Sequence, residues 1–327
     1  MGGDHGSAVV IDGVQQALKA YSQISELFLV GQQREIEQAI RSVACNDSRV
    51  RIVPATEIIT MDDKPLDVVR RKKDCSMVRA MELVRDGKAE AVISPGNTGA
   101  LVASATLKLR RLEGVERPAI ACIMPAGAAG EVLLLDAGAN PDCKPLHLAQ
   151  FAVMGSVYSR GLLQQAKPRV GILNIGSEEM KGDSVVQDAA KLVSASKLNY
   201  VGFVEGDDIF SGDVDVVVTD GFTGNVALKT MEGLANMLVG ALKTEYTRNP
   251  LRYVGAAASW PVLRSLRREF DPRTYNGASM VGLTGIVIKS HGSADVLSFR
   301  NAIRVGLIEA RKGVPMQIAN LLTAQLA

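Results

Sequence analysis

Short, nearly continuous apolar runs rich in β-branched residues alternate with longer segments of helical period, and this alternation constrains the fold more than any other feature. The runs are Leu27–Val30, Arg51–Pro54, Ala89–Ser94, Ala119–Met124, Val132–Asp136, Arg169–Asn174, Tyr200–Val204, Val214–Thr219 and Gly285–Lys289. Strands that are apolar on both sides need cover on both faces, as in parallel sheets packed between helices. Among the intervening segments, Val226, Thr230, Leu234, Leu238 and Leu242 form an i, i+4 stripe that a helix would bury. The pattern predicts an α/β fold with a mainly parallel sheet flanked by helices.

With 327 residues the chain is long enough for one large core and a buried site. No repeat or low-complexity linker divides it. Its one composition shift falls near residues 244–272, where Tyr246, Arg248, Pro250, Arg252, Tyr253, Trp260, Arg264, Arg267 and Arg268 cluster. This stretch is expected to be a helical excursion from a single domain spanning 1–327.

Thirty-seven Lys and Arg against thirty-five Asp and Glu leave a formal charge of +2, too small to draw the whole molecule onto a polyanion. Aromatic residues make up only 4%, with one Trp, which argues against a stacking platform for nucleic acid. Cys45, Cys75, Cys122 and Cys143 are too sparse and irregular for a disulfide scaffold. The longest uncharged run, Ala91 to Leu107, is broken by Ser-Pro-Gly-Asn-Thr-Gly, so no membrane span is expected. The amino terminus has neither the basic region nor the apolar core of a signal peptide, and Gly6 stands where myristoylation needs Ser or Thr. A cytoplasmic protein is expected.

In doubly wound sheets ligands bind at the carboxyl ends of strands. Five such ends carry unusual turns. Ser94 is followed by Pro95-Gly96-Asn97-Thr98-Gly99 and a helical run; two glycines, two side-chain donors and a helix start suit an anion, although an ordinary capped turn would look the same. Asp220-Gly221-Phe222-Thr223-Gly224-Asn225 repeats the arrangement. Asn174-Ile175-Gly176 runs on to Lys181-Gly182, Asp136-Ala137-Gly138-Ala139-Asn140 precedes Asp142-Cys143, and Lys289-Ser290-His291-Gly292 places a cation and an imidazole at a strand end. Polar groups from all five are expected to converge on one crevice built for an oxyanion.

Dinucleotide, P-loop and zinc-protease motifs and the nucleophile elbow are absent. Neither His5 nor His147 stands near another His or a Cys pair, so no metal site is expected. Cys143 could be an activated nucleophile or simply a small buried residue at a helix start. Arg70-Arg71-Lys72-Lys73 is either a solvated helix face or a docking patch for an acidic partner.

Taken together, Met1-Gly2-Gly3-Asp4-His5-Gly6, Ser94 to Ala100, Asp136 to Asn140 with Asp142-Cys143, Phe151 to Val157, Asn174-Ile175-Gly176, Asp220 to Asn225 and Lys289 to Gly292 closely resemble the bacterial phosphate acyltransferase family over essentially the whole chain. The resemblance implies transfer of a fatty acyl group from acyl carrier protein to inorganic phosphate, giving acyl phosphate for membrane phospholipid synthesis. It also implies a fold related to isopropylmalate dehydrogenase and phosphotransacetylase, a homodimer, and no cofactor. Family members begin with a short apolar strand before Met-Gly-Gly-Asp; an upstream start or a lost strand would account for the difference, the latter leaving Asp4 and His5 poorly anchored. Pro95 stands where the family usually has Ala.

A thioester is already activated, so phosphate must only be desolvated, held near the carbonyl and matched by charge as the tetrahedral oxyanion forms. On this basis Asn97, Thr98 and Gly99 are assigned to phosphate, with Asp4, Asn140, Asn174 and Asp220 as further substrate contacts. Lys181, Asn225 and Lys289 are assigned to charge stabilisation or positioning, and His291 to proton transfer. A metal- and nicotinamide-dependent dehydrogenase of related fold would need clustered aspartates, a phosphotransacetylase would differ only in using coenzyme A, and a non-enzymatic membrane adaptor would not need the polar turns. Trp260, Leu263, Leu266 and Phe270 recur at helical spacing beside Arg264, Arg267 and Arg268. That face would meet either an anionic membrane surface, making the protein peripheral to the inner face of the cell membrane, or a second subunit.

Overall fold

The computed structural model describes residues 3–60, 63, 65–126 and 130–325. Its strands are β1 (Leu27–Gly31), β2 (Val50–Pro54), β3 (Ala91–Ser94), β4 (Ala119–Pro125), β5 (Glu131–Leu135), β6 (Arg169–Leu173), β7 (Asn199–Val204), β8 (Val216–Val218), β9 (Ala278–Val281) and β10 (Ile286–Lys289). The helices are α1 (Gly6–Ala20), α2 (Gln33–Val43), α3 (Pro65–Arg71), α4 (Ser76–Arg85), α5 (Thr98–Lys108), α6 (Pro145–Tyr158), α7 (Ser184–Ser194), α8 (Gly221–Tyr246), α9 (Pro250–Ala258), α10 (Trp260–Glu269), α11 (Val296–Lys312) and α12 (Val314–Gln325). Every apolar run singled out above contains a strand. β9 does not follow from the pattern: it is four residues long, contains Ala and Ser, and is bracketed by Gly277 and Gly282, whose φ of +117 and +91 are open to glycine.

The main sheet has eight strands in the order β3-β10-β9-β4-β5-β8-β6-β7. β3 and β10 are parallel, as are β5, β8, β6 and β7, while β9 runs against both its neighbours and β4 runs against β5. The carboxyl ends of β3 and β10 therefore leave by one edge of the sheet and those of β5, β6 and β8 by the other. This corrects the expectation that five strand ends converge: β9, antiparallel to both neighbours, leaves β4 running the way of β10, and the antiparallel pairing of β4 with β5 then reverses the direction of the second group.

Val132 to Leu135 and Val216 to Val218 have no exposed surface on either side of the sheet. One face is covered by α6, buried from His147 to Tyr158, together with α7 and α12. On the other, Met124, Val132, Leu134 and Val217 pack against Leu228 and Met231 of α8. Beyond that contact α8 leaves the sheet. The stripe expected to be buried is correspondingly open: Val226, Leu234, Leu238 and Leu242 are 49–53% exposed, and Thr230 is exposed too. No residue of α9 is buried. The basic run does not form one helix face, because α3 ends at Arg71, and Lys72 in the following turn donates to the Ile58 carbonyl and pairs with Asp63.

β1 and β2 form a separate parallel pair. An opening of about 360 Å³ lies between β1 and β3, lined by the consecutive residues 23–30 and 87–95 and closed by Val14, Met77, Phe299 and Ile303. Consecutive lining means that main-chain edges, not one side-chain face, border the opening. Among the described residues β1 bonds only β2 and β3 bonds only β10, so no described strand pairs with the amides and carbonyls on those edges.

Glu309 of α11 is 2% exposed, and its carboxylate accepts hydrogen bonds from Tyr158 Oη at 2.9 Å and Ser279 Oγ at 3.0 Å. Burial pushes its pKa up to about 7 from the usual 4.5, against the lowering effect of both donors. Between those values the folded chain holds a proton that the unfolded chain has released. Stability should therefore fall as pH rises from about 4.5 to about 7, by about 3 kcal/mol. Urea denaturation at stepped pH should show that slope in the wild type and its loss in Glu309→Gln; equal slopes would remove Glu309 from the pH dependence.

Candidate active site

At the first sheet edge, Asn97 caps α5 by accepting from the Ala100 amide at 3.0 Å, so the turn is capped as well as glycine-rich. Thr98 and Gly99 form the first turn of α5, where free amides gather. Lys289 ends β10, and its ammonium reaches the Ser290 carbonyl and that of Pro95, 3.5 Å away. Burial and then the neighbouring Lys229 push its pKa down to about 8, with Asp4 opposing. His291 follows on the same turn: its amide donates to Asn276 Oδ1 at 2.9 Å, and its Nδ1 lies 2.8 Å from Ser293 Oγ. Burial, then Lys229, lowers its pKa, which favours the neutral imidazole.

The Gly3–Asp4 turn meets this edge. The Asp4 amide donates to the Gly292 carbonyl at 2.8 Å, and a Cβ at Gly3 would lie 3.5 Å from the Pro95 ring. Asp4 is thus held through its backbone, and Pro95 packs beneath that contact. His5 starts α1 without a side-chain cap bond.

At the opposite edge, Asp136 is fully buried and accepts five N–H groups, from the amides of Ile120, Gly138, Ala139 and Asn140 and from Asn140 Nδ2. Asn140 points inward, its amide nitrogen also reaching the Pro118 carbonyl at 2.7 Å, so it builds the turn. Asp220 caps α8, accepting from the Thr223 amide at 2.9 Å and hydroxyl at 2.7 Å. Asn174 closes its own turn through the Lys181 carbonyl, 3.0 Å away, while the Lys181 side chain is exposed. Asn140, Asn174 and Asp220 are thus structural acceptors and donors in their turns, and Asn225 and Lys181 present the outward groups at this edge. The Cys143 thiol points to the Asn140 carbonyl at 3.6 Å and is pushed up to about 12 by burial, then by Asp136 and Asp220. A thiol so protonated is no nucleophile at neutral pH. His147 is also structural, its Nδ1 accepting from the Lys144 amide and its Nε2 lying 2.8 Å from Glu116.

α8 connects the edges. It starts beside the Asp136 turn, where the Gly221 amide donates to the Asn140 carbonyl at 2.7 Å and Asn225 lies against Gly138. Asn225, Lys229 and Glu232 stand at i, i+4 and i+7 and so line one side of the helix over about 10 Å. Lys229 and Glu232 at the far end of that line act electrostatically on His291. They were not singled out from sequence; the spacing that marks them was legible, but the apolar stripe at Val226, Thr230 and Leu234 runs alongside and draws attention first.

A model of the fatty acid synthesis protein family matches residues 1–317. A phosphate acyltransferase of Alkalilimnicola ehrlichii is 49% identical over 100% of this chain and 95% of its own, and one of Methylococcus capsulatus is 46% identical over 99% and 95%. In structure the chain is similar to a phosphotransacetylase from Streptococcus pyogenes, with a TM-score of 0.62 at 14% identity over 92% of each chain. A phosphotransacetylase from Staphylococcus aureus matches with a TM-score of 0.54 at 16% identity, over 93% of this chain and 99% of that one. These structural likenesses bear on the fold, as expected from the sequence. The extent and identity of the sequence matches decide descent: the chain belongs to the fatty acid synthesis protein family, among the phosphate acyltransferases.

Proposed function

We propose that this acyltransferase moves a fatty acyl group from the thioester of acyl carrier protein onto inorganic phosphate, releasing acyl phosphate for phospholipid synthesis. The observation that carries the site assignment is the meeting of Lys289, His291 and Asp4 at one sheet edge with the polar line of α8. A phosphate oxygen attacks the thioester carbon, the carbonyl electrons pass to oxygen, and collapse of the tetrahedral intermediate expels the thiolate. The phosphate is held by Asn97, Thr98 and Gly99 at the start of α5, where unpaired amides favour an anion. The Lys289 ammonium and Asn225 answer the charge that develops, and the exposed Lys181 is assigned to positioning. His291, neutral at rest, takes the proton that phosphate sheds and returns it to the leaving sulfur.

The test is release of free thiol from palmitoyl-acyl carrier protein, with the acyl phosphate detected directly. Release should require phosphate, exceed that from palmitoyl-coenzyme A, and leave no acyl adduct on Cys143 when phosphate is withheld. Phosphate-independent release, or a stoichiometric Cys143 adduct, would overturn direct phosphorolysis.

The single domain carries a helical tip at 244–272. No helix among the described residues is long and apolar enough to cross a membrane. We assign the open leucine stripe of α8 to a homodimer contact and α10 to the anionic inner surface of the membrane. Trp260, Leu266 and Phe270 are 45–56% exposed, whereas Leu263 is partly covered. A product with a long alkyl chain gains by release at the bilayer. Wild-type protein should sediment with anionic vesicles and Trp260→Ala/Leu266→Glu should not, while light scattering reads the dimer in both. Retained sedimentation in the dimeric variant would remove α10 from membrane contact.

A further inference from the structure

The polar line on α8 has one member whose position calls for a ligand. Cys122 of β4 packs against the same buried cluster as Leu228 and Met231, and Glu232 and Lys229 act electrostatically on it, which fixes where this part of α8 crosses the sheet. Continuing the register, Cys122, Ala278 and Lys289 fall on one row across β4, β9 and β10, two strand spacings or about 10 Å from end to end. Lys289 shares its sheet face with Val287 and Met280, and Ile120 opposite Met280 carries that face to Cys122. Lys229 is close enough to Lys289 to act on its ammonium, so the two side chains border one gap. Lys229 comes from the helix and Lys289 from the strand end.

Their surroundings differ. Lys289 is partly buried and tied to carbonyls of its own turn. Lys229 is half exposed, and its partner is Glu232, 2.6 Å away and one turn along the helix. Exposed pairs at this spacing are weak and readily exchanged. The gap as it stands sets Lys229 and Lys289 against Asp4 and Glu232, and all four act on the His291 imidazole. A phosphate dianion entering it would be matched by both ammonium groups only if Glu232 let go.

We propose that Lys229 is the second phosphate-binding cation of the site, with Glu232 as its resting counter-ion, which phosphate displaces. This rests on the phosphorolysis reading and names the group that captures the attacking anion from solvent. The displaced carboxylate stays beside His291, where it favours the imidazolium once the proton has been taken from phosphate.

The experiment compares Lys229→Ala, Lys229→Arg, Glu232→Gln and the distal control Lys243→Ala in phosphate-dependent thiol release. A parallel calorimetric titration uses inorganic phosphate alone, without acyl donor. Lys229→Ala should raise the phosphate KM and Kd about tenfold or more with kcat for the acyl donor changed less than about threefold, and Lys229→Arg should restore most of that loss. Glu232→Gln should lower the phosphate KM about two- to fivefold, since the competitor is gone. Lys243→Ala should match the wild type. If the wild type shows no phosphate-dependent release, the functional reading itself fails. If it does, and Lys229→Ala keeps its phosphate KM and Kd or loses only kcat, Lys229 does not bind phosphate. An unchanged or raised phosphate KM in Glu232→Gln overturns the counter-ion role, even if Lys229→Ala proves poorly folded.

Discussion

Gly224→Ala should destabilise the protein by at least about 3 kcal/mol, the largest loss expected from a single methyl group in this chain. A Cβ at residue 224 would stand 2.0 Å from the Asp136 carbonyl oxygen and 2.9 Å from Thr219 Cγ2. Neither can yield, because Asp136 is held by five N–H groups and the Thr219 amide bonds the Leu135 carbonyl at 2.7 Å. Gly233 lies on the same helix with nothing within 4 Å of the corresponding position. Gly233→Ala should stabilise by up to about 1 kcal/mol, since alanine loses less backbone freedom in a helix. Urea midpoints at constant slope read both variants. Similar midpoints for the two would mean that α8 is not seated on the Asp136 turn. Activity should fall with Gly224→Ala as well, because Asn225 moves with the helix start.

Lys289→Ala should lower kcat about 100- to 1,000-fold while the KM for the acyl donor changes little, the pattern of a charge that matters most as the oxyanion forms. Burial gives this assignment a pH signature. Because the Lys289 ammonium loses its proton at about 8, wild-type kcat should decline as pH rises through that value. Lys289→Arg, charged throughout the accessible range, should carry the decline to higher pH even if its rate is reduced. A wild-type profile flat to pH 10, or Lys289→Ala with full kcat, would take the ammonium out of the chemistry.

The apolar runs from Leu27 to Lys289 located every described strand except β9, and the polar turns named Lys289 and His291, which the fold brings beside Asp4. Two things were hidden. Whether β4 and β9 run with or against their neighbours is decided by pairing across the sheet, which no local pattern encodes, so the turns after β3 and β10 looked as if they joined those after β5, β6 and β8. Burial on α8 was hidden too: Leu234, Leu238 and Leu242 have the spacing of core residues, yet the helix has already left the sheet, and Leu228 and Met231 make the contact instead. Asn140 and Asp220 have the chemistry of ligand groups, but adjacent main-chain amides and carbonyls claim them first.

The opening between β1 and β3 makes cohesion uneven. The unit of α1, α2, β1 and β2 is joined to the remainder by side-chain packing, chiefly Ile11, Val14 and Leu18 against Phe299 and Ile303, with no ladder of main-chain bonds from β1 to β3. Packing supplemented by few main-chain bonds, such as that from the Asp4 amide to the Gly292 carbonyl, separates at lower cost than a continuous sheet, so this unit should detach as a foldon before the eight-stranded sheet loosens. Deuterium uptake should reach the amides of β1 and β2 earlier than those of β5 and β8. Simultaneous exchange would show that the packing is as strong as the ladder it replaces.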